Sequence, residues 1–156
     1  MLYLLSIITT LFGCGKDNTT PAPPTQSNLL LKVSSGNNQE GTFSETLSQQ
    51  VSITLVPEVG KKVLDYVLDY SLIDGNGSVS HASNLGGFPI QTNATGEFIL
   101  NWTLGCDRPE QRIRLHLYRA TDYYSGRQGQ EFILESIDVR ATGKKSTATW
   151  AKACGL

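Results

Sequence analysis

Apolar residues recur at every second position in four separate runs of this chain. Val51, Ile53 and Leu55 alternate with Ser52 and Thr54, and Tyr66, Leu68, Tyr70 and Leu72 alternate with Val67, Asp69 and Ser71. Phe98, Leu100, Trp102 and Leu104 alternate with Ile99, Asn101 and Thr103, and Ile113, Leu115 and Leu117 with Arg112, Arg114 and His116. Successive side chains of a strand point to opposite faces, so this period marks strands with one face in a core and one in water. A later run, Ile133, Ile137 and Val139, is less cleanly phased, and no window carries an eleven-residue helical stripe. Turn-forming clusters separate the runs: Gly36-Asn37-Asn38, Pro57 to Gly60, Asp74 to Gly77, Asn93 to Gly96, Gly126 to Gly129 and Gly143 to Lys145. Short strands at this spacing predict an antiparallel β-sandwich from Leu29 onward.

Charge removes two classes of function. Thirteen basic and fourteen acidic residues give a net charge of −1, with 17% charged residues among 156. A nucleic-acid binder carries a basic patch or stripe, and a charge-extended disordered chain carries a large net charge. Neither pattern is present, and 156 residues are enough for one domain with a real core.

Several of the turns and strands occur in a recognisable order. Ser35-Gly36-Asn37-Asn38-Gln39-Glu40-Gly41-Thr42, then Leu47 and Val51-Ser52-Ile53, resembles the opening of bacterial Ig-like domains of the intimin/invasin type. The resemblance continues through Gly60-Lys61-Lys62-Val63, Tyr66 to Tyr70, Gly75 to Ser80, Thr92 to Gly96 and Trp102-Thr103-Leu104-Gly105. It implies an immunoglobulin-like antiparallel β-sandwich used as a rigid spacer or an adhesive module. After Gly105 the likeness fades into a longer final hairpin and tail. The residues have physical reasons of their own. Gly75 and Gly77 suit a tight hairpin with positive φ, Gly96 a turn before the Phe98 strand, and Trp102 the centre of a thin core.

Upstream of the domain the chain reads as an address. Leu2 to Phe12 is an apolar run of signal-peptide length, too short to span a hydrocarbon core of about 30 Å. Leu11-Phe12-Gly13-Cys14 resembles a bacterial lipobox, although no Lys or Arg precedes the run. Residues 1–13 are thus expected to be a lipoprotein signal peptide, with Cys14 the lipidation site. Residues 14–28, polar and rich in Pro and Thr, read as a tether, and 29–156 as the sandwich domain. Gly15, in place of the Asp that favours inner-membrane retention, points to the outer membrane. The alternative is an apolar N-terminal strand with an incidental cysteine.

With Cys14 acylated, Cys106 and Cys154 remain. An even pair in an exported domain reads as a disulfide, with a metal pair or a nucleophile as the alternatives. His81 and His116 lie far from either cysteine in sequence, and no Gly-x-Ser-x-Gly elbow supports a triad. Asp74-Gly75-Asn76-Gly77-Ser78 begins like a calcium loop but lacks the Gly and Glu of an EF-hand, so a hairpin is expected there. His116 is expected on a strand surface and His81 in a polar loop. The reading is therefore a protein without catalysis, cofactor, metal or nucleic-acid partner.

One segment stands out for recognition. Tyr118 to Gln128 holds Tyr118, Arg119, Tyr123, Tyr124 and Arg127, residue types enriched at binding hot spots, on what reads as a long polar loop. Two functions follow. In one, the domain presents this surface to an envelope protein or glycan, with adhesion as the outcome. In the other, it is a structural spacer or accessory subunit of an envelope complex with no ligand of its own. An exposed aromatic patch of Tyr118, Tyr123, Tyr124 and Trp150 favours the first, and a buried one the second. On the first reading, replacing Tyr123 and Tyr124 by Ser abolishes capture and barely moves the melting temperature.

Overall fold

The computed structural model describes residues 30–81, 88–145 and 154. The alternating runs become strands: β1 Leu30–Ser35, β2 Gln39–Thr42, β3 Val51–Val56, β4 Tyr66–Asp74, β5 Ser78–His81, β6 Ile90–Gln91, β7 Glu97–Thr103, β8 Glu110–Arg119 and β9 Glu135–Lys144. One short helix, α1, spans Ala120–Tyr124, and single 3-10 turns occupy Val63–Asp65 and Gln130–Phe132.

The strands form two sheets, β1-β3-β7-β5 and β2-β9-β8-β4-β6. All pairings are antiparallel except β2 with β9, which is parallel. The expected antiparallel β-sandwich is therefore the observed fold. Its core is the apolar phase of the strands. Val51, Ile53, Leu55, Phe98, Leu100 and Trp102 come from one sheet, and Tyr66, Leu68, Ile113, Leu115, Leu117, Val139 and Ala141 from the other. Trp102 is 1% exposed at its centre, as its size predicts. Its indole Nε1 has no hydrogen-bond partner among the described residues.

Strand register gives the sandwich two distinct ends. Leu30 faces Val56 and Tyr66 faces Arg119, so the chain enters where β3 ends, β4 begins and β8 ends. At the opposite end lie the close of β4, the start of β8 and Cys106. There the buried Gln111 amide donates to the Gly105 and Arg108 carbonyls and accepts from the Gly105 N–H.

Two local expectations need correction. Gly75 to Gly77 is not a hairpin, because β4 pairs with β8 and β6 while β5 pairs with β7 in the other sheet. The segment carries the chain from one sheet to the other. Gly75 does take positive φ, at 97°. Gly77 is needed for a different reason: a Cβ there would overlap the Thr103 carbonyl and the Gly105 amide. His81 is the last residue of β5, facing Leu100 across the β5–β7 pairing, and not part of a loop at that position. Gly96 behaves as expected, with φ of 80° in a turn where Asn93 Oδ1 accepts from the Thr95 and Glu97 N–H groups.

Candidate functional site

The outer face of the five-stranded sheet carries a row of charged and hydrogen-bonding side chains. Alternation that sends Ile113, Leu115 and Leu117 inward sends Arg112, Arg114, His116 and Tyr118 outward. The same rule brings Asp69 and Ser71 of β4 and Ser136, Asp138 and Arg140 of β9 to this face. Towards the disulfide end these residues form a chain of ion pairs. Arg112 Nε donates to Asp74 Oδ2 at 3.0 Å, and Arg114 reaches Asp138 at 2.7 and 3.1 Å. The hydrogen bonds from Arg114 hold the Asp138 carboxyl below its ordinary range. Arg108, on the adjacent loop, pairs with Asp74 and Asp107.

His116 sits midway along the face. Its Nε2 lies 3.1 Å from Ser71 Oγ and its Nδ1 lies 3.0 Å from Ser136 Oγ. Desolvation lowers its pKa, with Asp69 opposing. The tertiary structure thus assembles a serine–histidine contact from strands 45 residues apart. The position that orients the imidazole in a catalytic triad is held here by a second hydroxyl, not a carboxylate. Such a Ser–His–Ser row supports a neutral imidazole bridging three strands.

Beyond His116, α1 folds back over the sheet. Gly126, at φ 82°, reverses the chain after the helix, and Arg127 closes the turn with its amide on the Asp122 carbonyl and its guanidinium 2.8 Å from Asp122 Oδ1. The helix carries Tyr123 down onto Val67 and Tyr118, with Ala120, Phe132 and Ile133 around them, as a second small core on the outer face. The two tyrosine rings meet edge to face at 5.3 Å. The Tyr123 hydroxyl donates to Asp69 Oδ2 at 2.7 Å. Burial and that carboxylate push the Tyr123 hydroxyl pKa well above its ordinary value.

The five residues expected to form a binding surface therefore separate. Tyr118 and Tyr123 are 5% and 9% exposed and belong to the small core, while Tyr124 is 61% exposed. Arg119 reaches Glu58 at 3.3 Å, and Arg127 is held by Asp122 while stacking 5.5 Å from the Phe132 ring. Of the segment read as a polar loop, Tyr118 and Arg119 end β8 and Ala120–Tyr124 is a helix seated on apolar partners, so Tyr123, expected to be replaceable with little effect on the melting temperature, is a buried residue instead. Val67 lies in the outward phase of β4 and is nonetheless fully buried, which the sequence pattern alone does not announce. Trp150 and Cys14 lie outside the described residues.

Cys106 and Cys154 form a disulfide with Cα atoms 5.6 Å apart, and Ser44 Oγ lies 2.8 Å from Cys106 Sγ. Among the described residues no group of three or more His, Cys, Asp or Glu side chains is placed to hold a metal, and no helix is long and apolar enough to cross a membrane. Sequence reasoning also passed over the entry end. Leu30, Val56, Val59 and Leu64 are exposed there, and the only sequence cue is an apolar side chain in the middle of a turn, Pro57-Glu58-Val59-Gly60.

Two facing sheets with strand orders β1-β3-β7-β5 and β2-β9-β8-β4-β6 define an immunoglobulin-like β-sandwich domain. No family model and no curated protein sequence matches the chain. Among solved structures it is similar to a conjugate transposon protein from Bacteroides vulgatus, at 17% identity and TM-score 0.50, over 83% of this chain and 95% of that one. It is also similar to a conjugative transposon lipoprotein from Bacteroides eggerthii, at 13% identity and TM-score 0.48, over 74% of this chain and 95% of that one. A lipoprotein from Bacteroides thetaiotaomicron matches at 11% identity and TM-score 0.48, over 86% and 93% of the two chains. At these identities the likeness is one of fold.

Proposed function

We propose that this chain is a non-enzymatic, lipid-anchored protein of the bacterial cell envelope, whose sandwich domain serves as an accessory subunit of an envelope complex. The observation that carries the reading is the Cys106–Cys154 disulfide. Disulfides belong to oxidising compartments, and the remaining cysteine, Cys14, stands in the lipobox-like sequence. Residues 14–28 then serve as the tether, and Gly15 favours the outer membrane. Burial of Tyr118 and Tyr123 supports the accessory reading over a dedicated adhesive loop. The protein of like fold from Bacteroides vulgatus is described as a conjugate transposon protein. The accessory role proposed for this chain is in a conjugation-related assembly of the envelope. The intimin/invasin-type resemblance of Leu30 to Gly105 supports a rigid module of this kind.

Binding of a protein or glycan is the second reading, carried by Tyr124, which is 61% exposed where Tyr118 and Tyr123 are buried. Intact mass of the membrane-fraction protein, before and after reduction and alkylation, tests the anchor. A chain beginning at Cys14 with added acyl mass, and two thiols appearing only on reduction, is expected. An unprocessed chain with three free thiols refutes the envelope reading. Crosslinking in cells then separates the two functions: the accessory reading expects the same crosslinked partner for the unsubstituted chain and Y124S, and the binding reading expects Y124S to lose it.

A further inference from the structure

Seven large apolar side chains are exposed among the described residues: Leu30, Val56, Val59, Leu64, Leu72, Ile73 and Tyr124. Five of them share one end of the sandwich. Leu30 and Val56 are cross-strand partners at the first pair of β1 and β3. Val59 sits in the connection that leaves β3 and is 86% exposed, and Leu64 lies in the 3-10 turn that leads into β4. Tyr124 ends α1, which packs against that same turn. Nothing in the folding of the domain requires this, because each of these side chains stays in water in the folded monomer. Soluble proteins scatter single apolar residues over the surface, so their concentration at one end calls for a cover.

This is also the end at which the chain enters. Fifteen residues separate Cys14 from Leu30. Whatever its conformation, a chain of that length reaches at most about 55 Å, and as a random coil it averages about 20 Å. The sandwich itself is about 30 Å long, judged from the nine-residue strand β4. A lipid anchor at Cys14 therefore holds the entry end close to the bilayer, at an effective concentration on the order of millimolar, where weak contacts are populated. The charges around the five residues suit an anionic surface. Lys61 and Lys62 are exposed between Val59 and Leu64, while acids of the same end are engaged within the domain: Glu58 and Asp122 by Arg119 and Arg127, Asp65 by the Lys62 backbone N–H, Glu135 by the Leu31 N–H and Glu97 by the Ser52 hydroxyl.

We propose that the entry end of the domain, through Val59, Leu64 and Tyr124, rests on the lipid surface in which Cys14 is anchored. This would fix the sandwich upright, with the disulfide end facing away from the membrane. The inference rests on the anchored reading above. The apolar tips enter the headgroup layer, where interfacial side chains sit about 5–10 Å deep, and the two lysines lie among the phosphates. The outer face of the five-stranded sheet then stands perpendicular to the membrane and remains open to a partner.

The test uses the full acylated chain, purified from membranes and reconstituted into vesicles of phosphatidylethanolamine and phosphatidylglycerol brominated on the acyl chains. Indole fluorescence is compared in V59W, Y124W and, at the opposite end, E45W, with the unsubstituted chain as background. Val59, Tyr124 and Glu45 are all exposed, so the substitutions leave the fold intact, which unchanged melting temperatures check. Quenching and a blue-shifted emission in V59W and Y124W, both lost in E45W, support the proposal. Equal emission and quenching in all three, in a chain shown by mass to be acylated, overturn it and leave the anchor standing. A chain without acyl mass overturns both. A dimer in sedimentation that V59D dissociates, without quenching, assigns this end to a second copy and overturns the lipid assignment.

Discussion

Tyr123 offers the sharpest test of how the outer face is built. Its ring is 9% exposed against Val67 and Tyr118, and its hydroxyl holds Asp69 at 2.7 Å. Truncating a buried aromatic ring costs about 3–5 kcal/mol. Losing one hydrogen bond to a charged group adds about 1.5–3 kcal/mol, at the low end here because half-buried Asp69 regains water and keeps the Tyr70 N–H. A serine in a shallow site is partly rewetted, so Y123S is expected to cost about 4 kcal/mol in all. For a domain of this size that is a fall of about 15 °C in melting temperature, a large fraction of the roughly 5–15 kcal/mol that holds a domain together. Y123F keeps the ring and loses only the hydroxyl, for about 1.5 kcal/mol and about 6 °C. Y124S, at a side chain 61% exposed, should stay within about 0.5 kcal/mol. Thermal and urea denaturation followed by circular dichroism read all three. Equal melting temperatures for Y123S and Y124S would refute the second core and return the segment to a free loop.

Other outcomes follow from the same structure. C154S opens a loop of 48 residues and is expected to cost about 4 kcal/mol in urea unfolding, with dithiothreitol producing the same loss in the unsubstituted protein and none in the variant. G77A forces a Cβ into the Thr103 carbonyl and should destabilise more than G126A, whose cost is only the positive φ since nothing lies within 4 Å of its Cβ; equal shifts would show that Gly77 is not packed as described. Tyr66, Tyr118 and Tyr123 all have pKa values raised above 10.0, so the folded state keeps its protons where the unfolded chain releases them. Their contribution is complete below pH 10.0 and is lost as pH rises beyond it, and Y123F should flatten the alkaline unfolding curve. In acid, His116 with its lowered pKa resists protonation that the unfolded chain accepts from pH 6.5 downward, so stability falls below that point. H116Q should remove that slope in pH-dependent urea midpoints, while the loss from Asp138, whose pKa is lowered, persists at still lower pH.

Strand identity was legible in the sequence because it depends on a local property, which face of a pleat each side chain occupies. Val51 to Leu55, Phe98 to Leu104 and Ile113 to Leu117 show it in the plainest form, and each of these runs lines the core as its pattern predicts. Gly96 and Trp102 were readable for the same reason, since a positive φ and a large apolar surface are demands one residue makes alone. What alternation does not carry is the partner of each strand. The Gly75 to Gly77 turn looks like a hairpin from within, and only the pairing of β4 with β8 and of β5 with β7 makes it a crossing between sheets. β2 lies parallel to β9 although more than ninety residues apart, a register that no local signal encodes.

The residues Tyr118, Arg119, Tyr123, Tyr124 and Arg127 were visible as a cluster of recognition-type side chains. Which of them are available was settled by Val67, Asp69 and Glu58, elsewhere in the sequence, which take Tyr118, Tyr123 and Arg119 out of solvent or into pairs. Composition and periodicity thus determined a two-layer β domain, in a chain of net charge −1, with Cys106 and Cys154 left to pair once Cys14 is set aside. Tertiary structure decided which surface is left, because burial and charge pairing are properties of neighbours brought together from distant strands, and those neighbours exist only once the sheets have closed on each other.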